Sequence, residues 1–204
     1  MLRIRHQLSP DGGAWEGRIH DLAVERLMLA PGAPVAVLDI GCGDASLLVS
    51  SSPGPRRWPP PASTSGAYTK AACEARLADL GHRAVFRRMD AGHLDFPDDC
   101  FDAVVSVMCF HEVRAGAVAT TRGPLAAVGE ALRVLRPGGA FVLVDRFRDP
   151  ADFGPARDLS AALGPVDDLR REPLVGTLGV PWPLRTSRSL GPVDVISGMK
   201  AAET

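Results

Sequence analysis

The sequence predicts an α/β protein of three layers, in which a mostly parallel sheet lies between two layers of helices. Short apolar segments alternate along the chain with longer segments of helical periodicity. Residues 101–108 are almost wholly apolar, as expected for a parallel strand that is buried on both faces. This alternation is typical of parallel sheets whose connections are helical crossovers.

The individual elements follow from the apolar spacing and from Pro and Gly stop signals. Pro31-Gly32 ends the first predicted helix, Gly81 the second and Pro137-Gly138-Gly139 the third. The last two strands are expected to form a long hairpin-like return. The predicted helices are 14–30, 67–80, 124–135 and 151–163, and the predicted strands are 35–39, 83–89, 101–108, 140–145, 167–175 and 192–197.

Length and composition favour one globular domain. The chain has 204 residues, 46% of them hydrophobic and 23% charged, with a formal net charge of −1. We therefore expect an N-terminal helical segment over 1–33 and a single main domain over 34–204. A near-neutral chain has no electrostatic bias toward nucleic acid or an anionic membrane, so neither is predicted as a partner. The oligomeric state is not readable from the sequence.

The cysteines and the apolar segments indicate a protein of the reducing cytoplasm. Cys42, Cys73, Cys100 and Cys109 form no Cys-x-x-Cys pair and have no histidine at zinc-site spacing. No metal is therefore predicted. Residues 1–10 do not resemble a signal peptide, and no segment approaches the roughly 18 apolar residues that cross a bilayer.

The most informative segment is the first predicted strand with the turn that follows it. The strand ends at Asp39, and Gly41 and Gly43 let the backbone turn sharply and approach a ligand without a Cβ in the way. A dinucleotide fingerprint needs a third glycine where the chain has Ser46. The Asp39 carboxylate can accept hydrogen bonds from an ammonium group or from ordered water, which suits an aminoacyl-bearing ligand better than a pyrophosphate. The alternative is an ordinary strand-to-helix turn.

Four motifs in this order resemble the class I S-adenosylmethionine-dependent methyltransferases. They are Leu38-Asp39-Ile40-Gly41-Cys42-Gly43-Asp44-Ala45, then Asp90-Ala91 with Phe96-Pro97-Asp98-Asp99 and Phe101-Asp102, then Val105-Ser106 with Phe110-His111-Glu112, and finally the run 131–139. The resemblance covers about 35–147. It implies a Rossmann-like sandwich with a seven-stranded, mostly parallel sheet whose C-terminal strand is antiparallel.

The resemblance also implies a cofactor and its contacts. S-adenosyl-L-methionine would be held at the carboxyl edge of the sheet, with the glycine turn at its methionine portion. Asp90 would accept from the adenine amino group, with the backbone of Ala91 beside it, and Ser106 would line the sulfonium side. The residues implied at the methionine portion are Asp39, Gly41, Cys42 and Gly43.

His111 is the candidate catalytic residue. A sulfonium is already a strong electrophile, so that positioning and exclusion of water are the main catalytic tasks. If a base is needed, His111 suits it, because an imidazole titrates near pH 6.5 and follows the strand that ends at the expected pocket mouth. Glu112 is either its orienting partner or a first-turn carboxylate. A structural hydrogen bond is the alternative role of His111.

One interval departs from the family pattern. The family has a second strand that ends in an acidic residue for the ribose hydroxyls, yet 45–73 contains no Asp or Glu. Instead, 50–66 is rich in Pro and Ser, and the prolines at 59–61 are excluded from a central strand. The second strand is therefore expected to be disrupted. Two origins fit: an inserted surface loop, or a compensated frameshift, because codons for 58–64 read one base earlier permit an apolar strand ending in Asp.

Three functions remain open on the sequence. Methyl transfer to a small-molecule acceptor is favoured, because no separate module for recognising protein or nucleic acid is visible. A binding or regulatory protein with a degenerate methyltransferase fold is favoured by the missing ribose acid. An NAD-dependent oxidoreductase is disfavoured by the missing third glycine and the same missing acid.

Overall fold

The computed structural model describes residues 15–29, 35–43, 47, 71, 85–113, 123–180, 182, 185 and 190–202. The helices are α1 (Trp15–Arg26), α2 (Pro124–Val134), α3 (Pro150–Phe153), α4 (Ala156–Leu163) and α5 (Leu174–Thr177), with a 3-10 helix at Phe110–Glu112. The strands are β1 (Val37–Ile40), β2 (Phe101–Val107), β3 (Leu135–Asp145), β4 (Val166–Pro173) and β5 (Asp194–Lys200).

These strands form one sheet in the order β1-β2-β3-β5-β4. The pairs β1·β2 and β2·β3 are parallel, whereas β5 runs antiparallel to both β3 and β4. Four of the five strands therefore share one direction. The register places Ile40 beside Ser106 and Val107 beside Val144, so that the carboxyl ends of β1, β2 and β3 lie at one edge of the sheet.

Helices cover both faces of the sheet, because the central strands are apolar on both faces. On one face α1 packs through Ile19, Leu22 and Ala23 against alternate residues of the strands. On the opposite face α2 and α4 pack against the remaining residues of the same strands. The strand residues on the α1 face are Ala103, Val105, Val142, Val144 and Val195, and those on the α2 face are Leu38, Ile40, Val104, Phe141, Leu143 and Ile196.

An ion-pair network fixes the loop before β2 onto α2. Arg133 of α2 donates to the backbone carbonyls of Leu94 and Phe96 at 2.9 and 2.8 Å, and it pairs with Glu130 and Asp98. Glu130 in turn accepts from the Leu94 amide at 2.6 Å. These contacts tie 94–98 to the helix, and this loop continues directly from the turn at Asp90.

The predicted three-layer α/β class is confirmed. The helices α1 and α2 and the strands β1, β2, β4 and β5 lie within a few residues of their predicted positions. The antiparallel C-terminal strand is also confirmed as β5. The sheet has five strands in the described part of the chain. The predicted number of seven strands is therefore not confirmed. The insert at 50–66, the predicted second strand and the predicted helix at 67–80 lie outside the described residues, except for residue 71, which is helical. The boundary between 1–33 and 34–204 stays a prediction.

Three predicted elements differ from the structure. Residues 85–90 form no continuous strand and have only single bridge positions, at Arg87 and Asp90; Arg87 and Arg88 are exposed, so only Phe86 is buried there. The helix predicted over 151–163 is two helices, because Gly154-Pro155 interrupts it. The strand predicted to begin at residue 140 begins earlier, at Leu135.

None of the helices in the described ranges is long and apolar enough to cross a membrane.

Replacement of Gly139 tests the close approach of β3 to β2. A Cβ at Gly139 would lie 2.8 Å from the Arg136 carbonyl oxygen and 3.0 Å from that of Asp102. Because both neighbours are backbone, they cannot move aside cheaply, and Gly139→Ala is expected to lower the free energy of unfolding by about 1–3 kcal/mol. Urea unfolding followed by circular dichroism measures the change.

The matched control is Gly129→Ala in α2, where the nearest atom to an added Cβ is the Ala162 carbonyl oxygen at 3.9 Å. Since alanine is a better helix former than glycine, this variant is expected to gain up to about 1 kcal/mol. Equal stability of the two variants would contradict the packing described for Gly139.

Candidate functional site

The turn that follows β1 has the backbone conformation that its glycines allow. Gly41 and Gly43 have φ values of 81° and 56°, in the left-handed region where a Cβ is strained. Asp39, two residues before the turn, is 2% exposed. Its Oδ2 has no hydrogen-bond partner in the described part of the chain. A buried carboxylate oxygen without a partner is costly, and its position beside a ligand-binding type of turn makes it a candidate ligand contact.

Burial controls the ionisation of Asp39. Desolvation raises the pKa of this carboxyl group to about 7, because removal from water disfavours the charged form. The group is therefore close to half-ionised at neutral pH, and a cation placed beside it would favour the carboxylate.

Gly41 also makes a close approach to the next strand end. A Cβ at this position would overlap the Cβ and Sγ atoms of Cys109, so that only glycine fits between β1 and the residue before the 3-10 helix. Burial raises the pKa of the Cys109 thiol, which keeps it protonated at neutral pH. Cys109 therefore acts here as a packing residue and not as a thiolate nucleophile.

Ser106 joins the ends of β1 and β2. Its side chain is 1% exposed, and its hydroxyl donates to the carbonyl oxygen of Ile40 at 2.9 Å. The hydroxyl proton is thus committed to β1, whereas the oxygen keeps its acceptor capacity. Ser106 and Gly41 consequently lie on adjacent strand ends, as the resemblance implied.

The turn at Asp90 and Ala91 lies against the segment that follows β2. Asp90 is exposed, and its Oδ1 accepts from the Gly92 amide at 2.9 Å. A Cβ at Gly92 would lie 3.8 Å from Cγ1 of Val113, which directly follows the 3-10 helix. A ligand that bridges Asp90 and the glycine turn stays a prediction.

The buried carboxylate of Asp145, which was not predicted as a site residue from the sequence, contacts His111. Asp145 is the last residue of β3 and is 1% exposed. Its Oδ1 lies 2.7 Å from His111 Nδ1, and its Oδ2 accepts from the Phe110 amide at 2.8 Å and from the His111 amide at 3.3 Å. Glu112, the orienting partner considered on the sequence, is instead 64% exposed, with Oε1 at 3.9 Å from His111 Nε2.

The surroundings of His111 act on its pKa in opposite directions. Burial lowers the pKa, but the hydrogen bond to Asp145 and the negative charges of Asp145, Glu112 and Asp152 outweigh burial and raise it above its ordinary value. The charged imidazolium form of His111 is therefore favoured by its neighbours.

The structure thus brings most of the predicted residues to one edge of the sheet. Gly41 contacts the residue before the 3-10 helix that carries His111, and Ser106 bonds the end of β1. Asp145 was missed, although the sequence ends a predicted strand on it. The sequence signal for Asp145 was its place at the end of the predicted strand 140–145. Because β3 pairs in parallel with β2, its last carboxylate lies beside the residues that follow β2.

Comparison with known proteins places this chain in a family. A family model described as a methyltransferase domain matches residues 38–143, just over half of the chain. The phosphatidylethanolamine N-methyltransferase of Cereibacter sphaeroides is 36% identical over 90 residues, which are 43% of this chain and 39% of that protein. The match therefore spans well under half the length of this relative.

Solved structures share the fold at low sequence identity. The [4+2]-cyclase SpnF is 18% identical with a TM-score of 0.66, and the match covers 98% of this chain and 84% of that one. A geranyl diphosphate methyltransferase in complex with S-adenosylmethionine is 16% identical with a TM-score of 0.63, covering 91% and 86%. The YcgJ protein of Bacillus subtilis is 19% identical with a TM-score of 0.61, covering 91% and 99%.

The glycine turn, the adjacent strand ends and the extent of the family match lead to one conclusion: the chain belongs to the methyltransferase-domain family of class I S-adenosylmethionine-dependent enzymes.

Proposed function

We propose that this protein transfers a methyl group from S-adenosyl-L-methionine to a small-molecule acceptor by direct in-line displacement. The observation that carries the proposal is the buried Asp39 with its unpartnered Oδ2, beside a turn of two left-handed glycines at the carboxyl edge of the sheet. An ammonium group at this turn would complete the hydrogen bonding of Asp39. The amino group of a methionine moiety is such a group.

The residues at this edge fit the cofactor in its methionine and adenine portions. The backbone turn at Gly41, Cys42 and Gly43, with left-handed φ angles at both glycines, would hold the methionine portion, with the buried Asp39 two residues before it. Asp90 is exposed and can accept from an adenine amino group, with Ala91 beside it. For the ribose hydroxyls, the acid that the family uses is missing from 45–73.

The main catalytic contribution of the chain is to position the acceptor relative to the methyl group. When bound, S-adenosyl-L-methionine supplies a methyl group that is already activated by its sulfonium. The strand ends hold the acceptor in line with that methyl group, and the buried surroundings of Ser106 and Asp39 exclude water. His111 lies at the same edge and can take a proton from the acceptor.

A small acceptor is favoured because the sequence shows no separate recognition module and the net charge is −1. We propose accordingly that neither nucleic acid nor a membrane is a partner, and that the protein works in the cytoplasm. The phosphatidylethanolamine N-methyltransferase match covers 39% of that relative, which is too little to carry its acceptor over to this chain.

A second candidate function is a binding or regulatory protein with the same fold. The missing ribose acid favours it, because a charged hydrogen bond of this kind is worth roughly 1.5–3 kcal/mol. The similarity to a protein named as a cyclase also indicates that this fold accompanies more than one chemistry. NAD-dependent oxidation remains disfavoured by Ser46 in place of the third glycine.

Titration calorimetry with S-adenosyl-L-methionine and with NAD separates these functions. We expect binding of S-adenosyl-L-methionine and no binding of NAD. Gly41→Ala is expected to abolish the binding, because its Cβ overlaps Cys109 and its φ of 81° is strained. Transfer of tritium from methyl-labelled S-adenosyl-L-methionine to pooled small-molecule acceptors then tests catalysis.

The control is Gly17→Ala in α1, where no described atom outside the local helix backbone lies within 4 Å of an added Cβ. This variant should bind as the unmodified protein does. Binding of neither ligand would refute the proposal in favour of the degenerate fold, and preference for NAD would refute it in favour of the oxidoreductase.

The ionisation of Asp39 predicts a pH-dependent affinity for S-adenosyl-L-methionine. Below its pKa of about 7, Asp39 must lose a proton before it can pair with an ammonium group. The affinity should therefore fall as the pH is lowered from 8 to 6, with proton release on binding. Asp39→Asn should remove this dependence and weaken binding at pH 8 by roughly ten- to hundredfold, as measured by calorimetry in two buffers.

The same substitution has the opposite effect on the ligand-free protein. The pKa of Asp39 is about 7 in the folded state and about 4 in the unfolded state, so ionisation at high pH destabilises the fold. Asp39→Asn should raise the melting temperature at pH 8 and change it little at pH 4. Asp21→Asn, at an exposed position of α1, is the control; an equal effect of both variants would contradict the role of burial.

A further inference from the structure

We propose that Asp145 is a positioning residue that holds the His111 imidazole with its proton on Nδ1, so that Nε2 is the atom that accepts a proton from the methyl acceptor. This inference rests on the proposed function and deepens it. It also narrows the acceptor to a group that loses a proton when it is methylated: a hydroxyl, an N–H amine or an acidic carbon.

The hydrogen bonds of Asp145 decide where the His111 proton lies. Besides the two backbone amides at Oδ2, the Arg146 amide donates to Oδ1 at 2.7 Å, and His111 Nδ1 lies 2.7 Å from the same oxygen. Three backbone N–H groups thus converge on this carboxyl group, and both of its oxygens act as hydrogen-bond acceptors. Nδ1 must then be the donor.

The second ring nitrogen of His111 is left for the reaction. No hydrogen bond joins Nε2 to another residue in the described ranges, and Glu112 Oε1 lies 3.9 Å from it. The His111 side chain is 8% exposed, so the ring is held among neighbouring groups with little freedom to turn. Asp145 fixes the backbone and the ring of His111 together, because it accepts from both.

The proton balance of the step is simple. As the acceptor atom bonds to the methyl carbon, the electron pair of the broken carbon–sulfur bond stays on sulfur, and the acceptor proton moves to Nε2. The products are the methylated acceptor, S-adenosylhomocysteine and a His111 imidazolium that is paired with Asp145. Release of this proton to water restores the neutral ring.

The charges around the ring set the pH range in which it can act as a base. Asp145 faces it from β3, Glu112 from its own 3-10 helix and Asp152 from α3, while Arg146 pairs with Asp149 and Asp152. Because these groups together raise the pKa of His111, the neutral ring is present only above that pKa. The rate of methyl transfer should therefore rise with pH, with its midpoint above the ordinary histidine value.

Nitrogen-15 NMR of the histidine side chains tests the positioning in the ligand-free protein at a pH where the ring is neutral. The unmodified protein should show His111 protonated on Nδ1. In Asp145→Asn, the amide oxygen is expected to face the two amides at Oδ2, because this orientation loses only the Arg146 amide bond, whereas the reverse orientation loses two amide bonds. The amide nitrogen then faces Nδ1, so that the proton moves to Nε2 and the His111 pKa falls, because the hydrogen bond and the charge of the carboxylate are lost.

Glu112→Gln is the matched control, since it also removes one carboxylate beside the ring but makes no hydrogen bond to Nδ1. It should keep the Nδ1 tautomer and lower the pKa less. An Nε2 tautomer in the unmodified protein overturns the inference, and this spectrum decides even if Asp145→Asn fails to fold. An unchanged tautomer in folded Asp145→Asn overturns it as well.

Access to Nε2 is tested by diethyl pyrocarbonate, which modifies only an unprotonated and reachable imidazole nitrogen. Peptide mass mapping should show modification at His111 that increases with pH and is slowed at least tenfold in Asp145→Asn. Absence of modification at His111 overturns the inference. If S-adenosyl-L-methionine binds but the tautomer is wrong, only this inference fails, whereas absence of cofactor binding is a failure of the proposed function.

Discussion

The parallel register of β1, β2 and β3 is the constraint on which the candidate site depends. Because Ile40 lies beside Ser106 and Val107 beside Val144, three strands end at nearly the same level. The residues that follow them are therefore brought together without any long loop. The glycine turn, the 3-10 helix and Asp145 each belong to a different strand end, and the pairing of the sheet alone makes them neighbours.

Two buried carboxyl groups at this edge, Asp145 and Asp39, differ in their hydrogen bonding. Asp145 is surrounded by donors, three of them backbone amides and one the ring nitrogen of His111. Asp39 is equally buried, yet its Oδ2 has no partner in the described part of the chain and its pKa is raised to about 7. A satisfied carboxylate stabilises the structure around it, whereas an unsatisfied one is a destabilising feature that a ligand can relieve. This contrast in hydrogen bonding underlies the different roles proposed for Asp145 and Asp39.

The comparisons agree with this division between scaffold and site. A cyclase and a methyltransferase resemble the chain about equally well, with TM-scores of 0.66 and 0.63, so that the fold by itself does not fix the reaction. The chemistry must come from the side chains at the strand ends. Here these include His111 with the buried carboxylate of Asp145 beside it, and the sequence of 45–73 contains no Asp or Glu.

The sequence by itself determined the elements whose signals are local. The apolar run of β2 and the spacing of α2 predicted those elements, and Gly41 and Gly43 predicted the tight turn, because positive φ angles are a property of glycine itself. The motifs also placed the chain in its family. The signal at 83–89 was weaker, since the pair Arg87-Arg88 interrupts the apolar pattern, and there the predicted strand was wrong.

Only the tertiary structure decided the partners of the site residues. Asp145 and His111 are 34 positions apart, and their contact depends on which strands are adjacent and in which register they pair. The overlap of Gly41 with Cys109 and the burial that raises the pKa of Asp39 have the same origin. Such contacts arise between residues far apart in the chain, and no local pattern of residues encodes the distance between them.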